Sequence, residues 1–228
     1  MNVIRACTYN IVKHYSMNVG LLQKGDDADF CIVTDLVDFN CKATYICGEL
    51  VAENGKTNIK SVEETPVNNF NCSAITLAQI GVEATSTNVK VIDVEDGQLI
   101  TKESQAELKS INGKLVSDAT QDVLKVVVVN RYFDAPPAIA FIRNFGLKQG
   151  ALASCVAHDS HNIIAVGVSD EDIVNAINLV VESKGGVSLA NGGEQKVLAL
   201  PVAGIMTNKD GYETAEAYEK LDLRSKEL

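Results

Sequence analysis

Residues 144–163, NFGLKQGALASCVAHDSHNI, place a dense polar cluster between two apolar runs, and few folds accommodate that juxtaposition. ALASCVA and NIIAVGV have the length and composition of buried strands. Between them stand two of the chain's three histidines, His158 and His161, together with Asp159 and Ser160, and Asn162 follows. Polar groups flanking buried strands cost stability unless each finds a partner. Such a cluster marks either a functional site or a structural tie between strands.

The rest of the chain alternates short strand-like runs with helical ones. Val3, Ile4, Cys7, Ile11 and Tyr15 recur at helical spacing and predict a first helix over residues 3–15. A loop holding Gly20 and Gly25 follows, then strands over 28–34 and 43–52, with a hairpin turn at Asn54-Gly55. Residues 63–71, EETPVNNFN, read as a linker broken by Pro66. Beyond it, NVKVIDV and QLIT flank a turn at Glu95-Asp96-Gly97, and 102–122 read as loop with a helical turn. VLKVVVV (123–129) is a strand, and AIAFIRNF (138–145), opened by Pro136-Pro137, is read as a short helix. Ser169 and Asp172 cap the clearest helix, whose buried face carries Ile173, Val174, Ile177, Val180 and Val181, and Gly185 ends it. Strands over 187–190 and 196–202 and a polar helix from Tyr212 complete the chain. This mixture of helices and hairpin-linked strands predicts an α+β fold with two domains, 1–70 and 71–228.

Totals narrow the function classes. The 228 residues are 46% apolar, enough for a core, and carry a net charge of −10. Phosphate would be repelled, so no nucleic-acid partner is expected. No run approaches the roughly 20 apolar residues of a membrane span, and MNVIRACTYN shows no signal-peptide pattern. A cytoplasmic protein is the expectation. Six cysteines, at 7, 31, 41, 47, 72 and 155, form no C-x-x-C pair and read as reduced, buried apolar groups. The H-x-E and P-C-x-x-C halves of the zinc nucleobase deaminase signature are both missing.

Two stretches carry a family resemblance. Residues 8–51 resemble the tail of the amidohydrolase superfamily, in which the last barrel helix leads to Gly…Gly-x-x-Ala-Asp and a small β domain. Gly20, Gly25, Ala28, Asp29, Asp35 and Gly48 occupy the matching places. Residues 126–206 resemble the C-terminal domain of the adenine deaminases, through VNRY, NFGLKQGALASCVAHDSHNI, VGVSDEDIVNAIN and LALPVAGIM. The resemblance implies a partial β domain followed by a mixed, α/β-layered domain. The metal-binding (β/α)8 barrel of that family, with its His-x-His, has no counterpart here. The chain therefore reads as a C-terminal portion of an adenine aminohydrolase, which converts adenine and water to hypoxanthine and ammonia. The implied metal, manganese or iron, belongs to the full-length enzyme, with none bound by this chain. The implied partners are adenine, the missing N-terminal barrel and further copies in a homo-oligomer.

Several readings of the cluster stay open. His158, Asp159 and His161 are candidates for catalytic or pocket-lining roles at the barrel mouth, with Arg131, Ser160 and Asn162 contacting substrate. The alternatives are a private metal site on the two histidines and Asp159, or a purely structural tie. Arg131 is either a partner of Asp159 or an exposed cation at the end of its strand. Ser154, Cys155 and Ser160 near the histidines invite a nucleophile–base reading that no other signature supports. A competing function is an assembly module whose polar cluster serves only the fold.

Overall fold

A computed structural model describes residues 2–62, 65–158 and 160–228, which divide into two compact units, Met1–Val62 and Glu63–Leu228. In the first, a helical segment (α1) runs through Asn2–Arg5, a π-type stretch Ala6–Asn10 and Ile11–Tyr15. Four antiparallel strands follow: β1 (Phe30–Val33), β2 (Cys41–Ile46), β3 (Glu49–Glu53) and β4 (Lys56–Thr57), in the order β1-β2-β3-β4. The predicted strand over 43–52 is broken, because Cys47 and Gly48 both take positive φ and turn the chain. The superfamily-like residues hold this unit's loops together. The Asp29 carboxylate accepts from Gly20 N at 2.8 Å and Cys47 N at 2.7 Å, which keeps its pKa below the usual range. A Cβ on Gly20 would stand 1.9 Å from the Asp27 carbonyl oxygen, so only glycine fits.

None of residues 2–62 is buried. Leu22, Leu36 and Val37 are 70%, 71% and 88% exposed, and the apolar stripe of α1 is largely open to solvent. The expectation of buried cysteines fails here for the same reason: Cys7, Cys31, Cys41 and Cys47 are exposed, and only Cys72 and Cys155 are buried. All six are free thiols.

The second unit supplies the core. Its main sheet joins β6 (Asn88–Asp93), β7 (Lys102–Glu107), β10 (Val123–Val129), β11 (Ala138–Arg143), β12 (Ala151–Ser154), β13 (Ile163–Gly167), β14 (Gly186–Asn191) and β15 (Glu194–Ala199). The order is β15-β14-β12-β13-β10-β11-β6-β7, antiparallel except where β11 meets β6. A small sheet of β5 (Val82–Glu83), β8 (Ser110–Ile111) and β9 (Lys114–Leu115) lies within the same unit. Helix α2 (Asp170–Glu182) packs on one face of the main sheet and α3 (Gly211–Ser225) contacts β14 and β15. The molecule is thus mixed α and β, mostly sheet, with no closed barrel among the described residues. No helix of the described residues is long and apolar enough to cross a membrane.

Two sequence expectations are corrected here. AIAFIRNF is strand β11, not a helix, because β10 and β6 on either side satisfy its backbone groups, an outcome local propensity does not register. Residues 102–122 hold β7, β8 and β9 instead of a loop with a helical turn. The overlooked signal is Asn112-Gly113, both at positive φ, which closes the β8–β9 hairpin. Of the predicted linker, Glu63 and Glu64 lie outside the described residues, while Phe70 is buried in the second unit's core.

Helix α2 begins as its sequence predicts. Ser169 Oγ accepts from Asp172 N and donates to the Asp172 carboxylate at 2.7 Å, while Asp172 Oδ1 accepts from Gly192 N at 2.8 Å. Beneath the helix, Lys125 interrupts the apolar run of β10 and is wholly buried. Its ammonium donates to both Asp170 carboxylate oxygens, at 2.6 and 2.8 Å, and to the Ile80 carbonyl at 3.0 Å. The lone charge in the strand is thereby spent on fixing the first turn of α2 to the sheet.

Lys125→Ala leaves a cavity and removes the partner of the part-exposed Asp170, so urea unfolding should show a loss of about 2–4 kcal/mol. At the other end, Arg224 grips Glu194 through Nε at 2.9 Å and Nη2 at 2.8 Å, tying α3 to β15. Those hydrogen bonds, joined by Lys196, hold the Glu194 carboxyl at about 2, below its ordinary 4.5. Because the folded pKa is the lower one, this tie is complete above about pH 4.5 and fades as pH falls toward about 2. Hydrogen exchange of α3 should accelerate across that window, and Glu194→Gln should flatten the dependence.

Candidate functional site

Pairing between β10 and β13 brings the predicted cluster together. Val129 lies opposite Ile163, so the residues after β10 and those before β13 meet at one end of the sheet. Arg131 N donates to Asn162 Oδ1 at 3.3 Å, and the Tyr132 hydroxyl donates to the Ser160 carbonyl at 2.9 Å. Asn130 closes the turn between them, its Oδ1 accepting from Tyr132 N at 2.8 Å and Phe133 N at 3.4 Å.

Arg131 is the centre of this arrangement and not an exposed cation. It is 5% exposed, with Nη1 donating to the Ala203 carbonyl at 2.7 Å and Nη2 to the Tyr132 hydroxyl at 3.3 Å. Its guanidinium carbon sits 4.8 Å from the Tyr132 ring centre and 5.7 Å from that of Phe70. Its own carbonyl accepts from Asn71 N and Cys72 N. Arg131 Nε has no hydrogen-bond partner, and among the described residues no carboxylate forms an ion pair with it. Asp159, its alternative partner, lies outside the described residues.

The loop before β13 is tightly turned. His161 takes a left-handed φ of 51°, and its backbone N–H donates to the Ala157 carbonyl at 3.0 Å. A histidine tolerates this conformation at a cost that the surroundings must cover. Its Nδ1 is buried without a partner. His158 and Ser160 are exposed, Asn162 is half-buried, and Ser160 Oγ accepts from Asn162 N at 3.4 Å. The structure thus joins Arg131, Ser160 and Asn162 in one network, with His161 on the same turn and His158 facing solvent.

Cys155 and Ser154 are not arranged as nucleophiles. Cys155 is buried, its thiol donates to the Gly204 carbonyl and accepts from Gly186 N at 3.1 Å, and burial pushes its pKa up. A thiol so placed stays protonated and inert. Ser154 Oγ is occupied in accepting from Val156 N at 3.1 Å. Nor do the described residues compose a metal centre. Among them no three His, Cys, Asp or Glu side chains converge, and Asp159 lies outside the described residues.

Sequence reasoning did not weigh Tyr132, Asn130, Phe70 or Gly204, all of which position the cluster. Gly204 has φ 75°, and a Cβ there would stand 1.8 Å from Arg131 Nη1. Its signal was the lone glycine within LALPVAGIM, a place where a backbone approaches a side chain closely.

With this geometry in view, comparison with known proteins decides the family. Residues 98–228 match the family described as adenine deaminase C-terminal domain, and residues 1–56 match the amidohydrolase family. The chain belongs to the adenine deaminase family. The adenine deaminase of Methanosarcina acetivorans is 46% identical over 100% of this chain and 43% of its own length. That of Parabacteroides distasonis is 42% identical over 100% of this chain and 42% of its length. That of Salinibacter ruber is 45% identical over 96% of this chain and 40% of its length. The chain thus spans about two-fifths of these relatives and corresponds to their C-terminal portion. The resemblance read from VNRY, the HDSH segment and LALPVAGIM is upheld.

Gly204→Ala should destabilise the second unit by about 1–3 kcal/mol from backbone strain alone, plus the displacement of Arg131. In an Arg131→Ala background the same change should cost only the backbone part. A double-mutant cycle by urea denaturation measures the coupling, expected at about 0.5–3 kcal/mol.

Proposed function

We propose that this chain is the C-terminal part of an enzyme that converts adenine and water to hypoxanthine and ammonia, and that its loop 156–162 helps enclose the substrate. The observation that carries this reading is the Arg131–Tyr132–Ser160–Asn162 network, which anchors the chain at Ser160 and Asn162, on either side of His161. A loop held so firmly at its base can present His158 and His161 to a ligand bound elsewhere. In this reading Arg131 is a positioning residue, and Asn162, Ser160 and the histidines wall the pocket.

The exposed state of the first unit supports an upstream partner. Its apolar cleft of about 780 Å³ lies beside Tyr9, Leu22, Phe30 and Phe39, and none of its described residues is buried. We infer that the first unit is the last barrel helix and a remnant of the small β domain, completed by the barrel. The second unit is then the deaminase-specific domain, and the protein works in the cytoplasm in purine salvage. The hydrolytic centre, with its manganese or iron, belongs to the barrel. This chain alone would be inactive.

An assembly role is the second reading, favoured by one observation. Phe145, Val156, Ile164 and Val197 leave apolar surface exposed in the second unit. Sedimentation of the chain tests it: self-association that substitutions at Ile164 and Val197 abolish would favour assembly over enclosure.

In the full-length enzyme, His158→Ala and His161→Ala should each lower kcat/KM for adenine at least about tenfold, since a lost hydrogen bond in a closed site is worth that much. Metal content should be unchanged. Unaltered turnover in both variants would remove the enclosure role.

A further inference from the structure

A second polar recess lies outside the histidine loop. It is a cavity of about 540 Å³ bounded by the segment around Cys72, the turn after β10 and the Pro136-Pro137 pair. That volume falls within the range of small-molecule pockets. Its apolar walls are Ile75, Val129 and the two prolines, and its polar lining includes Gln79, Asn130 and Asp134.

The polar groups are oriented by the backbone. Asn130 Oδ1 is occupied by two backbone donors, Tyr132 N and Phe133 N. Gln79 Oε1 is likewise occupied, accepting from Thr76 N at 2.8 Å and Thr76 Oγ1 at 3.0 Å. Neither amide can flip without losing two hydrogen bonds, so each presents its NH₂ as the available group. Asp134 is held by Ser73, whose N–H donates to Oδ1 at 2.7 Å and whose hydroxyl donates to Oδ2 at 3.1 Å. A carboxylate so engaged keeps further lone pairs for a ligand donor. The recess therefore offers two fixed amide donors and one fixed acceptor beside apolar walls.

We propose that this cavity binds a planar, uncharged nitrogen heterocycle through a lactam edge, a ring N–H beside a C=O. The carbonyl oxygen has two lone pairs and can receive both amide donors, while the ring N–H donates to Asp134. An amidine edge offers a ring nitrogen with a single lone pair, so one amide donor loses its partner. An anionic ligand is repelled by Asp134. The proposal does not depend on the histidine loop or on any catalysis, and it can fail while the enclosure role stands.

Isothermal titration of the 228-residue chain with hypoxanthine and with adenine tests it. Hypoxanthine, which carries the lactam edge, should bind at least about tenfold tighter than adenine. Asn130→Asp and Gln79→Glu both keep the oxygen that closes the local turn, remove the amide donor and add a negative charge beside Asp134. Each should weaken hypoxanthine about tenfold with the thermal midpoint of the chain retained. No binding of hypoxanthine at millimolar concentration, equal affinity for adenine, or full affinity in both folded variants would overturn the proposal. Should a variant unfold, the ratio of the two ligands on the unaltered chain decides alone.

Discussion

Everything at the candidate site depends on the antiparallel pairing of β10 with β13. That pairing sets Val129 opposite Ile163 and so forces Asn130–Tyr132 against Ser160–Asn162. A slip of one residue would turn every side chain of either strand to the opposite face. The register is fixed because β10 is buried on both sides and because Lys125 must meet Asp170. The buried ion pair is thus a device for specificity as much as for stability. It is satisfied in only one alignment of strand and helix.

The two units stand in contrast. The second encloses a continuous core around α2, from Phe70 and Cys72 to Val180 and Ala190. The first holds its loops through Asp29 and its strands through backbone pairing, yet none of its described residues is buried. A sheet and helix with so much apolar surface open is a surface in want of a complement. Under the function proposed above, the part of the relatives that this chain does not cover supplies one.

How much was legible beforehand follows from the kind of signal each element carries. Helix α2 was readable because its cap and apolar face are local, and Ser169 and Asp172 behave as their spacing predicts. The mixed α and β character was also anticipated. Strand β11 was not, because its conformation is set by β10 and β6, which both lie earlier in the chain and outside its own segment. The state of Arg131 was equally hidden. Its burial depends on Ala203, Gly204 and Phe70, some sixty to seventy residues away, and no window centred on VNRY contains them. Family resemblance singled out the segment; only the packing explains why its arginine is buried and not on the surface.

The account makes the chain an accessory wall whose chemistry is completed elsewhere. The most direct measurement is ammonia release from adenine by the purified 228-residue chain, with manganese or iron supplied in excess. The account predicts no release above the protein-free rate. Steady metal-dependent turnover that disappears on heating the chain would contradict it.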